Sequence, residues 1–102
     1  MDLGLAGQTA IVTGGSGGIG RGLLLEFARE GLNVVSASRD AATGEKTAAE
    51  GKAMGLKGEI LAIATDVTNR DSVEAMLATT EARFGPVSVL INNAGGPPPR
   101  PH

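Results

Sequence analysis

Residues Thr13–Gly20 read TGGSGGIG, and together with the two segments beside them they indicate the architecture of the chain. They follow the short apolar run Gln8–Thr13 (QTAIVT) and lead into the run Ile19–Glu30 (IGRGLLLEFARE). An apolar run that ends in glycines is typical of a buried strand, and apolar residues three or four apart are typical of a helix. This part of the chain therefore predicts a strand, a tight turn and a helix that begins at the turn.

The same alternation of strand and helix continues along the chain. The predicted strands are Gln8–Thr13, Leu32–Ser38, Glu59–Thr65 and Val87–Ile91, and the predicted helices are Ile19–Glu30, Asp40–Met54 and a third that Thr68 caps and Gly85 ends. Strands that alternate with helices of this length join through right-handed crossovers into a parallel sheet. We therefore expect an α/β fold of the Rossmann type, with helices on both faces of a parallel sheet whose first four strands lie in the order 3-2-1-4.

The three predicted helices differ in their apolar patterns. The first places Leu23, Leu24, Phe27 and Ala28 on one face and has Gly31 as its stop, and the third has an apolar stripe of Val73, Met76, Leu77 and Phe84. The second is predicted to be weak, because Gly44 and Gly51 each cost about 1 kcal/mol relative to Ala.

Composition excludes several classes of function for these residues. The net charge of −2 argues against nucleic acid or an anionic membrane as the main partner, because both need a basic face. Cysteine is absent and His102 is the single histidine, so no metal site is expected. No apolar run approaches the roughly 20 residues of a membrane span, and no basic segment precedes an apolar one at the start. A cytoplasmic location is the resulting expectation.

The glycine-rich turn has the chemistry of a phosphate site. A helix N-terminus offers free N–H groups and about half a positive charge, which suits the pyrophosphate of a dinucleotide. A side chain at Gly14 or Gly18 would hold the phosphates away, Gly20 lets helix and strand pack closely, and Ser16 adds a hydroxyl donor. The alternative is a strand–helix turn that binds nothing.

Four motifs in chain order resemble those of the classical short-chain dehydrogenase/reductase family. The turn has that family's Thr-Gly-x-x-x-Gly-x-Gly spacing, rather than the general Gly-x-Gly-x-x-Gly. Arg39 follows the second strand, Asp66-Val67 the third, and Asn92–Gly95 the fourth. The match covers essentially the whole chain, and the overall sequence pattern resembles that of 3-oxoacyl-carrier-protein-reductase-like members of the family.

Cofactor choice is expected at the tip of the second strand, which reads Ser38-Arg39-Asp40. A carboxylate there would bond the 2′-hydroxyl of NAD, whereas the guanidinium of Arg39 suits the 2′-phosphate of NADP. Ser38 stands where NAD-specific members of the family carry an acid, so NADP is favoured over NAD. Asp40 remains open as either the ribose acid or the N-cap of the next helix.

The resemblance assigns roles to the remaining motifs. It implies that Asp66 accepts from the exocyclic amine of adenine, that Val67 lies beside the ring, and that Asn93–Gly95 lines the nicotinamide-side ribose. Asn92 is instead expected to tie neighbouring strands together. The full set of expected cofactor-binding residues is Gly14, Ser16, Gly17, Gly18, Ile19, Gly20, Ser38, Arg39, Asp66, Val67, Asn93, Ala94 and Gly95.

Catalytic residues of the family are not found in this chain. The family's Ser, Tyr and Lys lie after the Asn-Asn-Ala-Gly segment, whereas residues 96–102 contain none of these types and Tyr is absent throughout. We expect residues 1–95 to form a dinucleotide-binding half-domain, followed by a Pro-rich loop over residues 96–102. The favoured interpretation is an inactive fragment of a homo-oligomeric enzyme that moves hydride between NADP(H) and a ketone or secondary alcohol. A stand-alone nucleotide-binding module and a piece that needs a second chain are the alternatives.

Overall fold

Strands and helices alternate through residues 5–14 and 18–92, which are the residues that this computed structural model describes. In chain order the elements are β1 (Thr9–Thr13), α1 (Gly18–Arg29), β2 (Asn33–Ser38), α2 (Ala41–Ala53), β3 (Ile60–Ala64), α3 (Arg70–Phe84) and β4 (Val89–Asn92). All the strand pairs are parallel, and the strands lie side by side in the order β3-β2-β1-β4. The predicted order 3-2-1-4 is confirmed, and the element bounds differ from the predicted ones by at most two residues.

The register of the sheet brings the carboxyl ends of its strands to one edge. Thr13, the last residue of β1, lies beside Ala37 in β2 and Asn92 in β4. Ser38, the last residue of β2, lies beside Ala64 in β3. Segments that follow these strands therefore leave the sheet together at its carboxyl edge, where open α/β sheets bind their ligands.

Different helices cover the two faces of the sheet, because side chains alternate between the faces along each strand. Ala10 and Val12 of β1 are fully buried against α1, where they pack with Leu24. Ile11, which points to the opposite face, is buried with Met76 of α3. The helices thus lie on both faces, as predicted.

Helix α1 buries the face that its sequence predicted. Leu24 and Ala28 are fully buried, and Leu23 and Phe27 pack around the same cluster while partly exposed. The helix ends at Arg29, and Gly31, which follows closely, has a φ of 95°, a conformation that favours glycine. Its N–H donates to the Ala28 carbonyl, and the next N–H donates to the Phe27 carbonyl, each at 3.0 Å. This pair of bonds is a Schellman motif, which confirms the predicted stop.

Helix α2 uses its glycines to approach the sheet, which the prediction of a weak helix did not foresee. Gly44 and Gly51 are both buried. A Cβ at Gly44 would lie only 2.9 Å from the Cβ of Ala62 and from the Oγ of Ser36. The loss of helix propensity at this position is therefore offset by a close contact between α2 and strands β2 and β3.

Helix α3 begins one residue later than predicted, and Thr68 is not its cap. Asn69 is the N-cap, with its Oδ1 accepting from the N–H of Ser72 at 3.0 Å. The Thr68 hydroxyl instead donates to the carboxylate of Asp66 at 2.6 Å. The Thr68 side chain was predicted to cap the helix, but it bonds instead to Asp66, two residues before it.

The apolar stripe predicted for α3 is only partly correct. Met76 is buried, but Leu77 is 37% exposed. Thr80 is buried in its place and donates its hydroxyl to the Met76 carbonyl at 2.8 Å. Only a narrow face of α3 packs against the sheet. Thr80 can lie on that face because its hydroxyl is hydrogen-bonded within the helix. Leu90 of the edge strand β4 is 64% exposed on the same side of the sheet as Ile11.

Candidate functional site

The turn after β1 leads to the carboxyl edge, where α1 presents its N-terminus. Gly14 has a φ of 64°, a left-handed conformation that favours glycine, and its N–H donates to the Ala37 carbonyl at 3.0 Å. Helix α1 begins at Gly18 and has no acidic residue in its first turn. Its free N–H groups and positive dipole end are therefore uncompensated by a local carboxylate, which favours an anion there.

Two further predicted residues of the turn lie in the first turn of α1. Gly20 is buried there, and Ile19 is 74% exposed. Ser16 and Gly17 lie outside the described residues.

Asp40, which follows β2, caps the next helix. The Asp40 Oδ1 accepts from the N–H of Ala42 at 3.0 Å, and its Oδ2 accepts from the hydroxyl of Thr43 at 3.4 Å. Of the two roles left open by the sequence, the N-cap role is the one observed. Ser38 is also turned inward, donating its hydroxyl to the Asp40 carbonyl at 2.9 Å. Arg39 and Asp40 are both exposed at this tip.

Arg39 meets Asp66 across the carboxyl edge. An Nη2 of Arg39 lies 3.3 Å from the Oδ1 of Asp66, although the two residues are far apart in the chain. The hydrogen bond from the Thr68 hydroxyl, followed by that from the Thr68 N–H, lowers the pKa of Asp66 below its usual value, and the Arg39 charge adds to this effect. Asp66 is therefore an ionised acceptor at neutral pH. Val67, beside it, is 52% exposed.

Asn92 at the end of β4 ties two strands together, as expected. Its Oδ1 accepts from the hydroxyl of Thr13 at 2.9 Å, and the same hydroxyl lies 3.4 Å from the Ile91 carbonyl oxygen. The next three residues of the predicted site, Asn93, Ala94 and Gly95, lie outside the described residues, as does the predicted boundary at residues 95 and 96.

Sequence reasoning missed two threonines of this edge. Thr13 links β1 to β4, and Thr68 holds the carboxylate of Asp66. The spacing Asp66-x-Thr68 carried a signal, because Asp side chains often accept from the backbone two residues later in Asx turns.

A cavity of about 520 Å³ lies elsewhere, at the amino end of β3. Its walls include Gly51, Leu56, Ile60 and the charged side chains of Lys52 and Arg83. None of the predicted cofactor residues lines it.

Among residues 5–14 and 18–92, no three potential metal ligands converge, and no helix is long and apolar enough to cross a membrane.

Comparison with known proteins places this chain beside one family. The family model described as short chain dehydrogenase matches residues 8–102. The NADP-dependent (R)-specific alcohol dehydrogenase of Lentilactobacillus kefiri is 41% identical over 91 residues, which are 89% of this chain and 35% of that protein. The 3-oxoacyl-[acyl-carrier-protein] reductase of Staphylococcus epidermidis is 43% identical over 91 residues, which are 86% of this chain and 36% of that protein.

Solved structures agree with the sequence comparisons. The crystal structure of L-sorbose reductase from Gluconobacter frateurii, complexed with NADPH and L-sorbose, superimposes with a TM-score of 0.82 at 33% identity. The superposition covers 94% of this chain and 36% of that one. The chain thus spans about a third of the length of the proteins that it matches.

Proposed function

The chain belongs to the short-chain dehydrogenase family, and from that premise we propose that it is the NADP-binding portion of an oxidoreductase. The complete enzyme would transfer hydride between NADP(H) and a ketone or secondary alcohol. The observation that carries this proposal is the meeting of Arg39 and Asp66 at the same edge where α1 presents its N-terminus. Three separate segments of the chain converge there with groups suited to phosphate, ribose and base.

The diphosphate is assigned to the first turn of α1. The first N–H groups of a helix have no partner within it, and the first turn of α1 contains no acidic residue. We assign this role to the backbone of Gly14, Ser16, Gly17, Gly18 and Ile19, with Gly20 allowing α1 to approach the sheet. The conformation of Gly14 and the burial of Gly20 support the assignment.

NADP is proposed over NAD because the tip of β2 offers an exposed cation, while its acid caps the following helix. The carboxylate of Asp40 accepts from the Ala42 N–H and the Thr43 hydroxyl, and these bonds compete with a ribose 2′-hydroxyl for it. Arg39 is 74% exposed in its side chain, and its guanidinium can form two parallel hydrogen bonds with a phosphate. One relative is named NADP-dependent and a similar structure holds NADPH, which supports the same choice.

The base and the second ribose are assigned by the same reasoning. We propose that Asp66 accepts from the exocyclic amine of adenine and that Val67, which is exposed beside it, contacts the ring. Asn93, Ala94 and Gly95 are proposed to line the ribose on the nicotinamide side, since they follow β4 at the carboxyl edge.

An Arg39→Ala variant is expected to bind NADPH about 10- to 100-fold more weakly and NADH almost unchanged, because it removes a charge-assisted bond to the 2′-phosphate. Fluorescence titration with both nucleotides measures the two dissociation constants. Arg29→Ala is the control, because it also removes an exposed arginine, at the far end of α1, and it should change neither dissociation constant. Equal affinity of the unmodified chain for NADPH and NADH would contradict the choice of NADP.

These 102 residues are proposed to bind the nucleotide without turning it over. They contain no tyrosine, and the family's catalytic Ser, Tyr and Lys have no counterpart among them. The chain is therefore expected to bind NADPH but not to oxidise it in the presence of a simple diketone. The absorbance of the reduced nicotinamide measures any oxidation. Measurable turnover would refute this part of the proposal. Binding without turnover also suits the second candidate, a nucleotide-binding module.

A further inference from the structure

The two oxygens of the Asp66 carboxylate have unequal surroundings. Oδ1 accepts from the Thr68 N–H at 3.0 Å, from the Thr68 hydroxyl at 2.6 Å and from Arg39 at 3.3 Å. Oδ2 accepts from no group within residues 5–14 and 18–92. One oxygen is therefore fully engaged by the protein, and the other remains open to a donor.

Thr68 is the group that fixes this orientation. The last torsion of an aspartate side chain is broad, so the plane of a carboxylate without partners turns easily and neither oxygen keeps one direction. A hydroxyl at 2.6 Å from a carboxylate oxygen makes a short, charge-assisted hydrogen bond, and the N–H of the same residue adds a second donor. The Arg39 contact is the longest of the three and comes from a side chain that is 74% exposed.

The backbone around Asp66 is held as firmly as its side chain. The Asp66 N–H donates to the hydroxyl of Ser72 at 2.9 Å, and the Asp66 carbonyl accepts from the N–H of Asn69 at 3.0 Å. The preceding residue, Thr65, is buried and donates its N–H to the Ser38 carbonyl at 2.7 Å. The free oxygen is thus presented from a fixed position at the carboxyl edge.

We propose that Thr68 is a positioning residue that keeps Oδ2 of Asp66 free for the amine of the nucleotide base, so that the site selects 6-aminopurines over 6-oxopurines. This inference rests on the proposed nucleotide-binding function. An ionised carboxylate accepts from the adenine amine but repels the oxygen that hypoxanthine carries at the same place. Rejection of a mispaired polar group is a stronger source of selectivity than a difference in size.

Thr68 is better suited than Arg39 to orient the carboxylate, because Arg39 is also proposed to bind the 2′-phosphate. When Arg39 turns to a 2′-phosphate, Oδ1 still has both donors from Thr68. The orientation of the carboxylate is then the same in the free and the bound site, and recognition of the phosphate does not disturb recognition of the base.

The test compares NADPH with its hypoxanthine analogue, which differs only by an oxygen in place of the amine. Dissociation constants are measured by titration for the unmodified 102-residue chain and for Thr68→Val, which keeps the shape of the side chain and removes the hydroxyl. We expect the unmodified chain to prefer NADPH by about tenfold or more, and Thr68→Val to lose most of that preference. Thr68→Ser restores the hydroxyl and should restore the preference.

Two further variants separate positioning from a general effect on structure. Thr68→Ala removes the hydroxyl without adding bulk and should behave like Thr68→Val, so the test stands even if one of them fails to fold. Thr43→Val is the matched control, because it also removes a threonine hydroxyl that donates to an aspartate carboxylate, that of Asp40. It should leave the preference for NADPH unchanged.

The outcomes distinguish this inference from the function on which it rests. Failure of the unmodified chain to bind either nucleotide would overturn the proposed function, and the role of Thr68 with it. Binding of both nucleotides with equal affinity would overturn the role of Thr68 and the contact of Asp66 with the adenine amine, and it would leave nucleotide binding itself standing. The same conclusion would follow if Thr68→Val or Thr68→Ala kept the preference, or if Thr68→Ser lost it.

Discussion

A Gly18→Glu variant is expected to lose affinity for NADPH by about 100-fold or more while remaining folded. The new carboxylate would stand in the first turn of α1, where it repels the diphosphate, and like charges brought together in a binding site cost several kcal/mol. The same carboxylate complements the helix dipole and stabilises the helix by roughly 0.3–1 kcal/mol. Titration with NADPH and thermal unfolding therefore report opposite changes for one substitution.

Two controls isolate the charge at this position. Gly18→Gln adds a side chain of similar size without charge, and the difference between the two variants measures repulsion alone. Gly22→Glu places the same group one turn further along α1, where a Cβ meets nothing within 4 Å, and should weaken binding far less. If Gly18→Glu bound NADPH as well as the unmodified chain, the diphosphate would have to lie somewhere other than this helix end.

A Gly58→Ala variant is expected to be destabilised by about 3 kcal/mol or more, because strain that only backbone movement can relieve exceeds ordinary overpacking. A Cβ at Gly58 would overlap the carbonyl oxygen of Leu32 and lie 2.6 Å from its carbonyl carbon. The Gly58 N–H also donates to the Ala28 carbonyl at 2.9 Å, so the loop cannot move away without losing that bond. The urea midpoint of unfolding measures the effect.

Gly22→Ala is the matched substitution for this measurement. Gly22 lies inside α1 with open space around its Cβ direction, so alanine should stabilise the chain by about 0.5–1 kcal/mol. Opposite signs for the same change at two glycines would show that the cost at Gly58 is a contact and not a general property of glycine. A Gly58→Ala variant as stable as the unmodified chain would mean that the approach to Leu32 is not as close as the structure has it.

The order of the strands could be predicted because it depends on local patterns and on handedness. Apolar runs and helical periodicity identified every element, and a right-handed crossover leaves few ways to arrange four parallel strands. The stop at Gly31 and the cap at Asp40 are also local, since each involves partners within a few residues. The motifs at strand ends then had to meet at one edge, and the structure does bring Arg39 to Asp66.

Details that depend on distant partners were not predictable in the same way. Periodicity alone placed Leu77 in the core and left out Thr80, because it does not say how wide a face of α3 the sheet will cover. Gly44 counted as a weak point in a helix until its distance to β2 and β3 was known. Thr68 is a different case, because its partner Asp66 is only two residues away and the spacing Asp66-x-Thr68 already favoured this contact over a helix cap.

The architecture, and the edge of the sheet where we propose that a nucleotide binds, could be derived from the residues alone, because both follow from the order of strands, turns and helices along the chain. What the residues alone could not give is the partner of a group whose neighbour is far away in the chain. Arg39 pairs with Asp66, 27 residues later, and the two meet only because β2 and β3 lie side by side. Hydrogen bonds form between groups that are close in space, and residues distant in the chain become neighbours only when the sheet forms.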